Sequence, residues 1–237
     1  MITVRKPTEI YQAGGEIEAG TFSGRWNFSF DQYRDSRYMN FGLLRVFNDD
    51  TLSAGAVWPL HPHSNIEVVT YCAEGEFRHA DEHGKGGVLK KGWVQHTTVG
   101  SGMWHSEINN RKDAPLRFVQ MWFLPSGRNL KPSVEQKKVE KEERTNKLFP
   151  LASNKNPEAL KIFSDVEVYS CFLAQGKAVG YTLKAGRGVY LYVLEGGPVM
   201  LNNNLIREFG AAEITDEKEL SLTASKDAEF LLVDTAL

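Results

Sequence analysis

The chain has 237 residues, 41% apolar and 24% charged, with a formal net charge of -2 at neutral pH. That length holds one large domain or two of about 100–120 residues each, with enough apolar material for a full core without disulfides. Near-neutral charge with interspersed signs excludes the basic face that direct nucleic-acid binding needs, and no apolar run approaches the roughly 20 residues of a membrane-spanning helix.

The first residues, Met1 to Pro7, lack the apolar core of a signal peptide, so a soluble, cytoplasmic protein is expected. Gly14-Gly15, Gly20 and Gly24 punctuate the start, and Trp26 to Phe30 alternates apolar and polar as a half-buried strand does. Phe41 to Phe47 reads as a strand that Asn48-Asp49-Asp50 ends with turn chemistry. The next strand runs into His61-Pro62-His63, where Pro62 requires an edge, a bulge or a strand end. Ile66 to Cys72 is a strand, and Glu82 to Gly87 is a hairpin tip. Val88-Leu89, Trp93 to Val99 and Leu116 to Leu124 complete a set of short strands with almost no helical period, which predicts an all-β barrel or sandwich.

Pro125 opens a polar segment with a charge run from Lys137 to Arg144, read as a solvated connection with a turn or two of helix. Strands resume at Val168 to Leu173, Val189 to Leu194 and Glu229 to Val233. Tyr190 to Gly197 (YLYVLEGG) resembles Val68 to Gly75 (VVTYCAEG), and Phe209 to Ile214 echoes Lys91 to His96. Two copies of one β unit would explain the length. The expected division is 1–130, a charged linker 131–150, and 151–237. Cys72 and Cys171 sit in apolar runs and are expected as buried, reduced thiols.

All six histidines lie between Gly55 and Glu107. Residues at i and i+2 of a strand share a face, about 6.6 Å apart. His61 and His63 therefore project together, as do His105 and Glu107, and two such pairs on neighbouring strands can converge on one cation. Three imidazoles and a carboxylate suit Fe(II), Mn, Co, Ni, Cu or Zn, and not Mg or Ca. Four protein ligands in an octahedral sphere leave two adjacent positions open, as a catalytic metal needs. His79 and His83 flank the hairpin tip and are expected to face solvent. His96 is expected as a pocket-wall or packed residue and not a ligand, and Glu67 is either a fifth ligand or an acid behind the ligands. Aligning the Glu-Gly and Gly motifs of the two halves sets Thr182 and Lys184 against His61 and His63, and Thr223 and Ser225 against His105 and Glu107. These form no metal site, so the second half is expected to lack one.

The stretch His61-Pro62-His63-Ser64-Asn65-Ile66-Glu67-Val68-Val69-Thr70-Tyr71 resembles the first signature of the pirin family, within the cupin superfamily. Gly75-Glu76-Phe77, Gly86-Gly87-Val88, Val94-Gln95 and Gly100 through His105-Ser106-Glu107 continue the likeness. The resemblance implies a bicupin, two jelly-roll β-barrel domains packed together, with metal ligands at His61, His63, His105 and Glu107 in the first. Fe(II) is the favoured ion. The chain departs from many pirins at Lys91-Gly92-Trp93 and at Ser64-Asn65-Ile66, so Trp93 and His96 are expected to reshape the pocket wall.

The implied reaction is that of a quercetin 2,3-dioxygenase: opening of a flavonol ring by O2 with loss of carbon monoxide. Glu107 would be the catalytic base for the flavonol 3-hydroxyl, and Met39, Trp58, Met103 and Trp104 either apolar pocket walls or core residues. The alternatives are a metal-binding sensor acting through a protein partner, and a metal-cupin isomerase or hydrolase. A monomer is expected, since a bicupin buries in one chain the barrel pairing that single cupins obtain by dimerising.

Overall fold

A computed structural model describes residues 1–81 and 86–237. The first half contributes β1 (Ile2–Arg5), β2 (Tyr11–Ile17), β3 (Gly20–Trp26), β4 (Leu44–Leu52), β5 (Val57–His63), β6 (Glu67–Glu74), β7 (Glu76–Asp81), β8 (Gly86–Lys90), β9 (Val94–Thr98), β10 (Met103–Asn109), β11 (Leu116–Phe123) and β12 (Ser133–Lys137). The second contributes β13 (Phe149–Ser153), β14 (Leu160–Lys161), β15 (Val166–Leu173), β16 (Ala178–Thr182), β17 (Arg187–Gly196), β18 (Val199–Leu201), β19 (Asn204–Ile206), β20 (Ala211–Ile214), β21 (Glu219–Ala224) and β22 (Ala228–Ala236). Helix among the described residues is confined to two three-residue 3₁₀ turns, Pro7–Glu9 and Glu142–Arg144.

Four sheets result, in two matching pairs. The first unit has β12-β9-β6-β11-β4-β3-β2 and β5-β10-β7-β8; the second has β1-β20-β17-β22-β15-β13-β14 and β16-β21-β18-β19. The internal repeat read in the sequence is thus a repeat of strand order, with β6 matching β17 and β9 matching β20. Each unit is a jelly roll whose large and small sheets enclose its own core, and the two large sheets pack on one another. Period-two alternation sorts the residues. In β11, Val119, Met121 and Phe123 face the other unit, where Tyr192, Leu231 and Val233 meet them. Phe118 faces inward with Leu52, Cys72, Phe77 and Leu89. Polar ties cross the buried interface: the Tyr192 hydroxyl donates to Asp49 at 2.7 Å, Arg117 donates to the Leu194 carbonyl at 2.9 Å, and the Tyr71 hydroxyl donates to Glu229 at 2.6 Å. Both cysteines are buried and free, as expected.

Several local expectations change. Asn48-Asp49-Asp50 does not end a strand; β4 runs through it to Leu52, and all three residues are buried. Their side chains are polar enough for a turn, but Asp49 and Asp50 find donors inside the fold instead. Trp26 closes β3 and does not open a strand over 26–30. Gly14, Gly15, Gly20 and Gly24 lie within β2 and β3 and do not punctuate them. The segment 131–150 is more than a solvated connection. Its β12 extends the first large sheet through Val94–Thr98, and its Arg144 is buried against Glu229 at 2.9 Å. The second unit in turn takes its edge strand β1 from the N-terminus. The expected hairpin tip at Glu82 to Lys85, with His83, lies outside the described residues.

Candidate metal centre and cavity

Strand β5 is the edge of the small sheet; it pairs with β10, with one further bridge from Val57 to Glu18, and at this edge Pro62 can sit without breaking a ladder. The register places His105 opposite His61 and Met103 opposite His63. Between His105 and Glu107 it slips, so that Glu107 faces Trp58. This bulge at Pro59-Leu60 matters. Trp58 and His61 are three residues apart and would point to opposite faces of a regular strand; the extra residue brings both to the inside. From the other side β7 sets His79 opposite Glu107.

His61, His63 and His105 thereby offer ring nitrogens that all lie within 4.8 Å of one another. His61 Nδ1 is 2.8 Å from the Pro59 carbonyl. A carbonyl only accepts, so the proton is on Nδ1 and Nε2 is left free as a ligand. His105 Nδ1 is 3.0 Å from His79 Nε2. With Nδ1 donating to His79, His105 keeps Nε2 free; that atom and His63 Nε2 are buried with no hydrogen-bond partner among the described residues. Orphaned imidazole nitrogens at mutual distances of this size fit one divalent transition metal. Glu107 is buried beside them, and Gln120 Nε2 donates to its Oε1. The Gln120 amide is itself oriented by Trp122, whose Nε1 donates to Gln120 Oε1 at 3.0 Å.

Electrostatics agree with neutral ligands. Burial pushes His105 down to about 2, with the neighbouring histidines adding to it. Burial, and then His61, lowers His63 to about 4. Burial raises the Glu107 carboxyl against the opposing influence of His61 and Gln120. A cation beside this carboxyl would oppose that rise and favour its ionised form.

His61, His63 and Glu107 open onto a cavity of about 620 Å³. Its walls are aromatic (Phe22, Trp26, Phe30, Trp58, Trp122); its buried polar groups are Asn48, Asp50 and Gln120, and Asp31 and Gln32 also line it. Of the expected pocket residues, Trp58 is in the wall. Met39 does not line it and is 43% exposed, and Trp104 alternates to the outer face of β10 and is 47% exposed. Met103 packs with Val68 and Val99 below the ligands. Trp93 packs on the inner core, and His96 faces Glu67, with Nε2 3.2 Å from Oε1. Neither reaches the cavity. Glu67 is no ligand either. It accepts from the Phe163 and Ser164 amides and the Ser164 hydroxyl, tying β6 to the second unit. Burial raises its carboxyl, but these bonds and His96 outweigh that and hold it below the usual range.

His79 is the main correction. Expected in solvent, it is 3% exposed and supports His105. The sequence held a signal for it: His79 is two residues from the core residue Phe77 and so shares its inward face. Gln120, Trp122, Asn48 and Asp50 were missed because nothing local marks them; their function comes from strands distant in sequence.

Comparison with known proteins places this arrangement. Residues 10–123 match the Pirin family, and residues 151–235 match the Quercetinase C-terminal cupin domain. Over 234 residues the chain is 36% identical to a pirin-like protein of Caulobacter vibrioides, covering 98% of this chain and 99% of that one. It is 31% identical to the quercetin 2,3-dioxygenase of Escherichia coli, covering 99% of this chain and 98% of that one. The crystal structure of bacterial pirin YhhW in complex with nickel(II) from Escherichia coli has a TM-score of 0.91 at 30% identity, covering 100% of this chain and 99% of that chain. With relatives this similar over almost its whole length, and with both halves matched, the chain belongs to the pirin family.

Proposed function

We propose that this protein is a metal-dependent dioxygenase that opens a flavonol-like aromatic substrate with O2. The observation that carries the reading is the meeting of three free imidazole nitrogens and a buried carboxylate with an aromatic-walled cavity. His61, His63, His105 and Glu107 would hold one divalent transition metal, with Fe(II) favoured. When bound, it supplies Lewis acidity toward the substrate oxygen and one-electron chemistry with O2.

The remaining work falls to side chains. The Phe22, Trp26, Trp58 and Trp122 rings accept a flat aromatic and keep water away from it. Glu107 takes the proton of the ligand hydroxyl, and its burial makes that transfer favourable. Gln120, fixed by Trp122, holds Glu107 in place for it. The test is metal analysis together with quercetin depletion, O2 uptake and carbon monoxide release under air and under argon. Oxygen-dependent loss of quercetin that disappears on chelation is expected. In Glu107→Gln, turnover falls at least about 100-fold while substrate still binds. Bound metal with no oxygen-dependent turnover would favour a sensor acting through a partner, and full turnover in Glu107→Gln would remove that residue as the base.

A further inference from the structure

The first unit buries more polar groups than its metal ligands require. Asn48 and Asp50 sit on the inward face of β4, in the interior of a seven-stranded sheet, and both line the cavity. Asn48 is 4% exposed, and its Oδ1 has no hydrogen-bond partner among the described residues. Asp50 Oδ1 accepts from Trp26 Nε1 at 3.0 Å, and no hydrogen bond among the described residues reaches Oδ2. A buried amide oxygen without a partner costs on the order of 1–3 kcal/mol, so a sequence keeps it where something else meets it.

We propose that Asn48 and Asp50 are the specificity-determining pair of this cavity, hydrogen-bonding to peripheral hydroxyl oxygens of the aromatic ligand and fixing how it enters. This rests on the flavonol-like reading above and goes beyond it by assigning the residues that read the ring substituents.

Three further observations support the pair. The fold does not need these polar groups. Through the ladders, Asn48 lies opposite Gln120 and Asp50 opposite Phe118; the matching positions of the second unit are Tyr169 opposite Leu232 and Cys171 opposite Phe230. There Cys171, Phe230 and Leu232 belong to the apolar core, and the half-buried Tyr169 packs against it. Next, room for the acid is made by its neighbour. A Cβ on Gly24 would lie 2.0 Å from Asp50 Oδ1, so the glycine in β3 is what lets the carboxyl turn toward the cavity. Finally, the pair is chemically complementary. Burial raises the Asp50 carboxyl well above its usual range; the Trp26 N–H opposes this, and the charges of Asp49 and Glu107 add to it. A neutral carboxyl can donate its O–H, while Asn48 Oδ1 accepts, so together they match ring hydroxyls, which do both. A site built to hydrogen-bond a hydroxyl rejects the analogue that lacks it.

The experiment is anaerobic titration of the full chain, loaded with Ni(II), with two flavonols followed by fluorescence. Quercetin carries several peripheral hydroxyls; 3-hydroxyflavone shares its 3-hydroxyl and 4-carbonyl and lacks them. Wild type is expected to bind quercetin about tenfold or more tightly than 3-hydroxyflavone. In Asn48→Leu and Asp50→Leu that preference falls to within about threefold, with 3-hydroxyflavone binding nearly unchanged. Asp50→Asn, which keeps an acceptor for Trp26 and a donor for the ligand, retains it. If Asp50→Leu does not fold, Asn48→Leu carries the test, since its Oδ1 has no bond to lose. A preference unchanged in Asn48→Leu overturns the pair while leaving the aromatic cavity standing. A wild type that binds neither flavonol overturns the flavonol-like reading and the pair with it.

Discussion

The two units share one strand order and differ in what they point inward. In the first, β10 sets Glu107 and Asn109 against His79 and Phe77 of β7. In the second, the corresponding ladder sets Leu222 and Ala224 against Leu201 and Val199. The turns before these strands correspond too, at Gly75 and Gly196, both with positive φ and both pressed against a backbone carbonyl across the sheet. Counting back from them, Leu220 stands where the first unit has His105, and Tyr181 stands opposite it where the first has His61. One jelly roll thus holds a cluster of unpartnered ring nitrogens, and its repeat holds leucines packed with Phe230 and Leu232. The scaffold is indifferent to which set it carries. The shared strand order therefore does not require polar residues at these positions.

The comparison can be broken most sharply by making the first unit resemble the second. The double substitution His105→Leu with Glu107→Leu is expected to abolish metal binding outright, read as metal content after loading. In a denaturant melt the metal-free variant should lose no more than about 1–3 kcal/mol for each partner left unpaired, His79 Nε2 and Gln120 Nε2, offset by the two ionisable groups no longer buried. A next test removes support rather than a ligand. His79→Phe leaves the His105 Nδ1–H without its acceptor, and metal affinity should fall about 10–100-fold in a competition titration.

A third test uses pH on the metal-free protein. Burial holds His63 and His79 at about 4 and His105 at about 2, below the ordinary histidine value near 6.5. The unfolded chain therefore takes up protons first, and stability present above about 6.5 is lost progressively as the pH falls through about 4 toward about 2. Thermal midpoints measured across that window should drop, and the loss should shrink in the double leucine variant. The smallest effect is expected at Thr223. Motif alignment sets it against His105, but it lies on the outer face of β21. Thr223→Ala should change neither metal content nor stability by more than about 0.5 kcal/mol.

That last contrast shows what was legible in the sequence. The all-β class, the repeat, the edge position of Pro62 and the inward pairing of His61 with His63 follow from local composition and period-two spacing. The correspondence between the halves did not, because a Glu-Gly motif fixes the turn but not the register of strands that pair across it. One bulge, at Pro59-Leu60, changes which side chains share a face. Buried polar residues were misread for the same reason. Asn48-Asp49-Asp50 has the composition of a turn, and only the arrival of Trp26, Arg117 and Tyr192 from other strands makes it a buried strand. His79 was assigned to solvent from its nearness to a hairpin tip, although its spacing from Phe77 pointed inward.

The central claim is that metal chemistry is confined to the first unit, and metal stoichiometry tests it most directly. The full chain and its His105→Leu, Glu107→Leu variant are loaded anaerobically with Fe(II), and separately with Ni(II), desalted and assayed for metal. The account predicts one ion per wild-type chain and none per variant chain. A variant that keeps its ion, or a wild type that binds none, would contradict it.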